Sequence, residues 1–165
     1  MTTSSSPLPS QRIPAHNASA PVPIRHDQAR AVSDIWPMLA ERFGDHIIAL
    51  EDPHARPALT ITYRALADEI RAFATGLQQL GVKVGDRVAL FSDNSPRWFI
   101  ADQGCMMAAA VDAVRSSQAD REELLYIFDH SGSTFLIAQD MATVKKLGDD
   151  LRDRPLHAII LLSDE

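Results

Sequence analysis

The tripeptide Arg115-Ser116-Ser117 carries the most chemical potential in this sequence. It follows the short stretch 111–114, which reads as a buried parallel strand. In open α/β sheets, ligands bind beyond the carboxyl ends of such strands. A guanidinium and two hydroxyls placed there could meet a phosphate or a carboxylate. The same three residues also suit a plain loop, with the arginine paired to a local acid and the serines forming turns.

Other reactive side chains point to structural roles. His130 precedes Ser131-Gly132-Ser133, where a helix should stop, and reads as a cationic cap rather than a catalytic base. The six histidines are scattered, with no pair at a metal-ligand spacing. Cys105 sits among small apolar neighbours, and nothing beside it in sequence would lower its pKa. Glu122 and Glu123 are adjacent on a predicted helix and so do not face each other; they read as first-turn acids. There is no dinucleotide-binding glycine fingerprint, phosphate-binding loop, nucleophile elbow or zinc-protease helix, and the seven glycines do not cluster. No catalytic residue and no metal ligand is assigned from these patterns.

The elements that must position Arg115 are legible from periodicity. Ile35, Trp36, Leu39 and Phe43 recur at helical spacing, with Ser33 as N-cap, Pro37 in the first turn and Gly44 as the stop. Strands are expected at 46–50 and 59–63, joined by a hairpin loop with Asp52, Pro53 and Pro57. A helix over 63–80 buries the stripe Leu66, Ile70, Phe73, Leu77 and Leu80, capped by Thr62 and ended by Gly81. The continuous run Val88-Ala89-Leu90-Phe91 predicts a strand covered on both faces. Ser92-Asp93-Asn94-Ser95-Pro96 then opens an apolar helix over 97–109. A strand at 111–114, a helix from Ala119 with Leu124, Ile127 and Phe128 inward, a strand at 134–138, a helix at 141–147 and a strand at 157–162 complete the series. This alternation predicts an α/β fold: part of a doubly wound parallel sheet with helices on both faces, incomplete at its C-terminal end because the last strand has no covering helix after it.

Composition bounds the remaining possibilities. The chain has 165 residues, 45% of them hydrophobic, which suffices for one domain with a core. A net charge of −6 excludes a nucleic-acid surface and strong electrostatic binding to anionic lipid. The longest apolar candidate, 98–114, is broken by Asp102, Gln103 and Asp112, so no membrane span is expected; peripheral association is left open. A single cysteine is compatible with a reducing cytoplasm. Residues 1–30 read as a disordered tail and 31–165 as the folded part. The first 26 residues lack acids and are rich in serine and proline, so a plastid transit peptide stands beside the plain tail.

Several segments, taken in order, resemble the N-terminal region of the AMP-forming acyl-activating superfamily. Leu59-Thr60-Ile61-Thr62-Tyr63-Arg64-Ala65-Leu66 is similar to its Leu-Thr-Tyr-x-Glu-Leu opening. Leu80-Gly81-Val82 with Gly85-Asp86-Arg87-Val88-Ala89-Leu90 resembles the turn and strand that follow. Asp93-Asn94-Ser95 with Trp98 resembles the Asn-x-x-Glu-Trp step, and Met107-Ala108-Ala109-Ala110-Val111 the Ala-Gly-Ala-Val run. Ala65 and Ala109 depart from the usual Glu and Gly, at positions that are not catalytic in the family. A narrower likeness, through 112–119, Glu122-Glu123-Leu124-Leu125-Tyr126-Ile127 and His130-Ser131, is to long-chain acyl-ACP synthetases of cyanobacteria and plastids and to long-chain fatty acyl-CoA synthetases.

The resemblance implies a parent ligase that activates a fatty acid with ATP and Mg²⁺ as acyl-AMP, then passes the acyl group to acyl carrier protein or CoA. The residues that carry this chemistry in the family have no counterpart in the sequence. The chain is therefore expected to be the first part of the large N-terminal domain, inactive by itself. The alternative is a self-contained, non-catalytic α/β protein that binds a small ligand or partner near Arg115.

Overall fold

A computed structural model describes residues 26–163. The expected tail, 1–30, lies mostly outside the described residues; its last part forms a 3-10 turn, His26–Gln28. A second 3-10 turn, Val32–Asp34, leads into helix α1, Ile35–Phe43. Ser33 does not cap α1, because it lies inside this turn. The Asp34 carboxylate instead accepts from the N–H groups of Arg30 (2.7 Å) and Ala31 (3.0 Å). Gly44 ends α1 at φ 54°, a left-handed angle that disfavours a side chain.

Strands β1 (Ile48–Asp52) and β2 (Leu59–Thr62) form an antiparallel hairpin. The first begins two residues later than the sequence suggests: the His46 N–H is spent on a turn back to the Phe43 carbonyl, and the Ile47 carbonyl accepts from the Tyr63 N–H at the start of α2. Helix α2, Tyr63–Gln79, starts where the Thr62 hydroxyl accepts from the Ala65 N–H at 3.3 Å. It buries Leu66, Ala67, Ile70, Ala74 and Leu77. Leu80, placed in the stripe by periodicity, falls past the last turn and is exposed.

The remainder alternates strictly: β3 (Arg87–Phe91), α3 (Pro96–Met107), β4 (Val111–Arg115), α4 (Arg121–Ser131), β5 (Phe135–Ala138), α5 (Met141–Leu147), a 3-10 segment (Gly148–Asp153) and β6 (Ala158–Leu161). The four strands pair in parallel in the order β4-β3-β5-β6. Successive residues of β3 point to opposite faces. Val88 and Leu90 pack with Ala74, Leu77, Ala101 and Cys105 of α2 and α3. Ala89 and Phe91 pack with Leu124, Phe128 and Leu147 of α4 and α5. Helices thus cover both faces, as a doubly wound sheet requires. A third cluster joins α1, β2, α2 and α3 around Trp36, Ile61, Leu66 and Ile70.

Two further expectations need correction. The strand at 111–114 is not buried: β4 is the outer strand on its side, and Val111 (57%) and Val114 (42%) are exposed. Helix α4 starts at Arg121 rather than at Ala119. Ser116 holds Gln118 and Ala119 in a turn, its hydroxyl accepting from the Gln118 N–H and its carbonyl from the Ala119 N–H.

Candidate functional site

The connections leave β3 in opposite directions: one crossover reaches β4 on one side, the next returns past β3 to β5 on the other. Such a switch point, at the carboxyl ends of the strands, is where open α/β sheets place ligands. The segment 92–96 forms its rim. Ser95 caps α3, its hydroxyl accepting from the Trp98 N–H at 3.0 Å, with Pro96 in the first turn. The residues before it are not spent on the helix. Ser92 donates its N–H to the Arg115 carbonyl at 3.0 Å. Asp93 donates its N–H to Gln139 Oε1 at 2.9 Å.

Gln139, the residue after β5, is the hub. Its side-chain oxygen also accepts from the Ser117 hydroxyl at 3.0 Å, and its N–H donates to the Phe91 carbonyl at 2.8 Å. The Asp93 carboxylate accepts from the Ser116 hydroxyl and, at 3.3 Å, from Gln118 Nε2. Lys146 of α5 donates to the carbonyls of Ser117 (2.6 Å) and Ala119 (3.2 Å). One polar knot therefore ties the ends of β3, β4 and β5 together. Replacing Gln139 with leucine would strand the Asp93 N–H and the 4%-exposed Ser117 hydroxyl. An expected loss of about 1–3 kcal/mol follows from leaving buried donors unsatisfied, checked by urea denaturation of Gln139→Leu against wild type.

The three residues singled out in the sequence separate here. Ser116 and Ser117 enter the knot together. Arg115 does not: its guanidinium turns to the first turn of α4 and pairs with Glu123 at 2.8 Å. Glu122 lies apart from that pair, 3.7 Å from Arg121. His130, in the last turn of α4, stacks on Tyr126 with ring centroids 5.3 Å apart. Gln139 and Lys146 carry no local signal for the knot, because the partners they meet in it lie 22 or more residues away in sequence.

Beside the knot opens a cleft of about 600 Å³, bounded by the hairpin loop between β1 and β2 and by the rim 92–97. Its walls include Arg56, Ser92, Asn94, Arg97, Gln139 and Leu162, and none of Arg115, Ser116 and Ser117. Among the described residues, no group of three or more His, Cys, Asp or Glu side chains is placed to hold a metal ion.

A second titratable cluster lies between α3 and β4. Gln103 donates to Asp102 at 2.7 Å and accepts from the Trp36 indole N–H at 2.9 Å. Oδ2 of Asp112 is buried with no hydrogen-bond partner. Burial, then the neighbouring Asp102, pushes the Asp112 carboxyl up to about 6. Burial, then Asp112 and Asp102, pushes the Cys105 thiol up to about 12, so it stays protonated and unreactive at neutral pH.

The raised Asp112 value has a definite sign. The folded state binds this proton more tightly than the unfolded chain, whose value is near 3.8. The associated stability is therefore present at low pH, erodes as pH rises from about 4 to about 6, and is lost above that window. Asp112→Asn, which donates where the carboxylate cannot, is expected to raise Tm at pH 8 and to change it little at pH 4. After allowance for solvent screening of a half-buried group, the gain at pH 8 is on the order of 1 kcal/mol. An equal Tm shift at both pH values would contradict the assignment.

A sequence model described as AMP-binding enzyme matches residues 39–165. The chain is 41% identical over 143 residues to the long-chain-fatty-acid–(acyl-carrier-protein) ligase AEE15, chloroplastic, of Arabidopsis thaliana, a match covering 86% of this chain and 20% of that protein. It is 39% identical over 133 residues to the probable acyl-activating enzyme 16, chloroplastic, of the same plant, covering 81% and 18%. Among solved structures, the Klebsiella oxytoca NpsA N-terminal subdomain superposes with a TM-score of 0.61 at 27% identity, covering 80% of this chain and 31% of that one. A Mycobacterium tuberculosis fatty acyl CoA synthetase gives a TM-score of 0.70 at 23% identity, a likeness of fold alone, covering 79% and 26%. The chain spans about one fifth of the length of the curated relatives it matches. On the strength of a family match running from α1 through the last strand, the chain belongs to the AMP-binding enzymes, the AMP-forming acyl-activating family.

Proposed function

We propose that residues 31–165 are the first part of the large N-terminal domain of a ligase that activates long-chain fatty acids. The observation that carries this reading is the 41% identity, over most of the chain, to a long-chain-fatty-acid–(acyl-carrier-protein) ligase. In that reading the fatty carboxylate attacks the α-phosphate of ATP to give acyl-AMP and pyrophosphate. A thiol of acyl carrier protein or CoA then displaces AMP. Mg²⁺ offsets charge on the triphosphate. The sequence has no glycine-rich phosphate loop, and in this reading the groups that handle the triphosphate belong to the rest of the parent. ATP and Mg²⁺ are therefore assigned to the parent, and no chemical step is given to residues of this chain. Their part is to hold the ends of β3, β4 and β5 in fixed register through the Gln139 knot.

The test has two arms. ATP–pyrophosphate exchange with palmitate should stay at background for the 165-residue chain; clear turnover would overturn the inactive-fragment part of the reading. The full-length parent should show exchange that depends on palmitate and not on an aryl or amino acid. Exchange driven by either of those instead would overturn the fatty-acid assignment.

Location follows the same logic. Both Arabidopsis relatives carry the word chloroplastic in their names, and the acid-free N-terminal 26 residues fit plastid import as an alternative to a cytoplasmic parent. No helix among the described residues is long and apolar enough to cross a membrane. Peripheral membrane association of the parent belongs to the same proposal and is tested by vesicle flotation.

A further inference from the structure

We propose that Asp102 and Asp112 hold one proton between them, and that this acid–carboxylate hydrogen bond is a latch fastening the outer strand β4 to α3, opened when both carboxyls become charged. The inference concerns the fold alone and stands whatever acid the parent activates.

Register places the two groups together. Asp112 pairs with Val88 of β3, and residues paired across a sheet share a face. Val88 packs with Ala101 and Cys105 on the α2 and α3 side. Asp112 therefore lies under α3, where Asp102, three residues before Cys105 on the helix, comes within hydrogen-bond reach of it. Oδ2 of Asp112 is enclosed there without a partner. A buried carboxylate oxygen without a donor is costly. A proton on the pair itself removes that cost: the O–H of one carboxyl donates to the other.

Among the described residues, no cation acts on Asp112. From α3 it faces Asp102 and the protonated Cys105 thiol. From α2 the shared cluster receives Phe73, Ala74 and Leu77, all apolar. The charged residues at the start of β3 are turned elsewhere: the Asp86 carboxylate accepts from the Lys83 N–H at 2.8 Å, and Arg87 Nε donates to the Gly132 carbonyl at 3.2 Å. On β4 itself, Arg115 is paired with Glu123 of α4. A second negative charge beside Asp102 thus meets repulsion without compensation.

The two carboxyls are anchored unequally. Asp102 Oδ2 accepts from Gln103 Nε2 at 2.7 Å, and Gln103 Oε1 accepts from the Trp36 indole N–H at 2.9 Å. Asp102 is tied in this way, through a buried glutamine, to α1. β4 is bonded to β3 alone, so it is β4 that yields. The Asp112 carboxyl is raised from 3.8 to about 6 in the fold, so the latch holds at low pH and is lost as pH rises through about 6. β4 also carries the Arg115 carbonyl that accepts from the Ser92 N–H, so its loosening reaches the Gln139 knot.

Amide exchange in the 165-residue chain, corrected for intrinsic rates, tests the latch at pH 5 and pH 7. The Val111 N–H donates to the Asp86 carbonyl at 2.9 Å and the Thr134 N–H to the Arg87 carbonyl at 3.1 Å, so the two amides report opposite edges of β3. Protection at Val111 is expected to fall about three- to tenfold from pH 5 to pH 7, after allowance for solvent screening, with Thr134 changing less than about twofold. Asp102→Asn and Asp112→Asn each put a permanent amide donor where the proton was, and should make protection at Val111 independent of pH. In Asp102→Asn, the carboxyl-carbon NMR titration of Asp112 should also drop toward the ordinary carboxylate range. Asp68→Asn, at an exposed partner of Arg71 on α2, should keep the wild-type fall. PH-independent protection at Val111 in wild type, a fall shared equally by Thr134, or loss of the fall in Asp68→Asn would each overturn the proposal. So would an Asp102→Asn variant in which the fall persists or the Asp112 titration stays where it was.

Discussion

Phe91→Ala is expected to lower the unfolding free energy by about 3–5 kcal/mol, the range for truncating a fully buried aromatic ring. Phe91 is 0% exposed and closes β3 on the face covered by α4 and α5. The cavity left behind cannot collapse easily, because β3 is hydrogen-bonded on both sides, to β4 and to β5. The same residue carries the carbonyl that receives the Gln139 N–H, so the knot above it should loosen as well. Amide exchange at Gln139 should then accelerate more than at Leu66, which packs in a different cluster. Ile159→Ala, on β6 where the side chain is 41% exposed, should cost about 1 kcal/mol or less. Comparable losses at the two positions, read from urea denaturation, would mean that β3 is not the centre of the packing.

Gly104→Val is expected to cost about 1–3 kcal/mol, from overpacking against a fixed neighbour. A Cβ at Gly104 would stand 2.7 Å from Cδ1, 3.2 Å from Cβ and 3.3 Å from Cγ of Phe73. The ring could turn, but the contact at its own Cβ moves only if α2 and α3 separate. Those helices share the cluster that covers Val88 and Leu90, so separation exposes the sheet. Gly76, on the partner helix α2, gives the control: a Cβ there meets nothing within 4 Å. Gly76→Ala should therefore stabilise by up to about 1 kcal/mol, the helix-propensity gain alone. Phe73→Leu should recover part of the Gly104→Val loss, which a double-mutant cycle would read as a coupling between the two sites. A neutral Gly104→Val variant would show that the helices are not held at this distance.

The parts of the fold readable in advance are those where one local rule decides. Val88-Ala89-Leu90-Phe91 is apolar without alternation because both faces of β3 are covered. Helix α5 keeps its expected bounds, Met141–Leu147, because Asp140 caps it through the Thr143 N–H at 2.7 Å and Gly148 turns left-handed after it. What local pattern leaves out depends on lateral neighbours. Val111 and Val114 look like core residues in sequence, yet the strand order leaves β4 with a partner on one side only. Arg115 looks like a ligand residue, yet α4 sets Glu123 beside it.

The site itself was half legible. Segment 92–96 reads as a cap cluster, but α3 needs only Ser95 for that. The surplus of Ser92 and Asp93 was the available signal that these residues bond to something distant. Nothing local named Gln139 as that partner, or put Arg56 and Arg97 around one cleft.

The strand order also sets a timetable for synthesis. β3 pairs with β4, which follows it closely in the chain, but its other edge waits for β5, where Phe135 meets Val88 across α3, β4 and α4. At ~5–20 residues per second, the 43 residues between Phe91 and Phe135 leave one side of this central strand bare for several seconds during translation. Until β5 arrives, that edge can pair with any other strand, and a chaperone that screens nascent chains should hold the protein longest while residues 92–134 are leaving the ribosome.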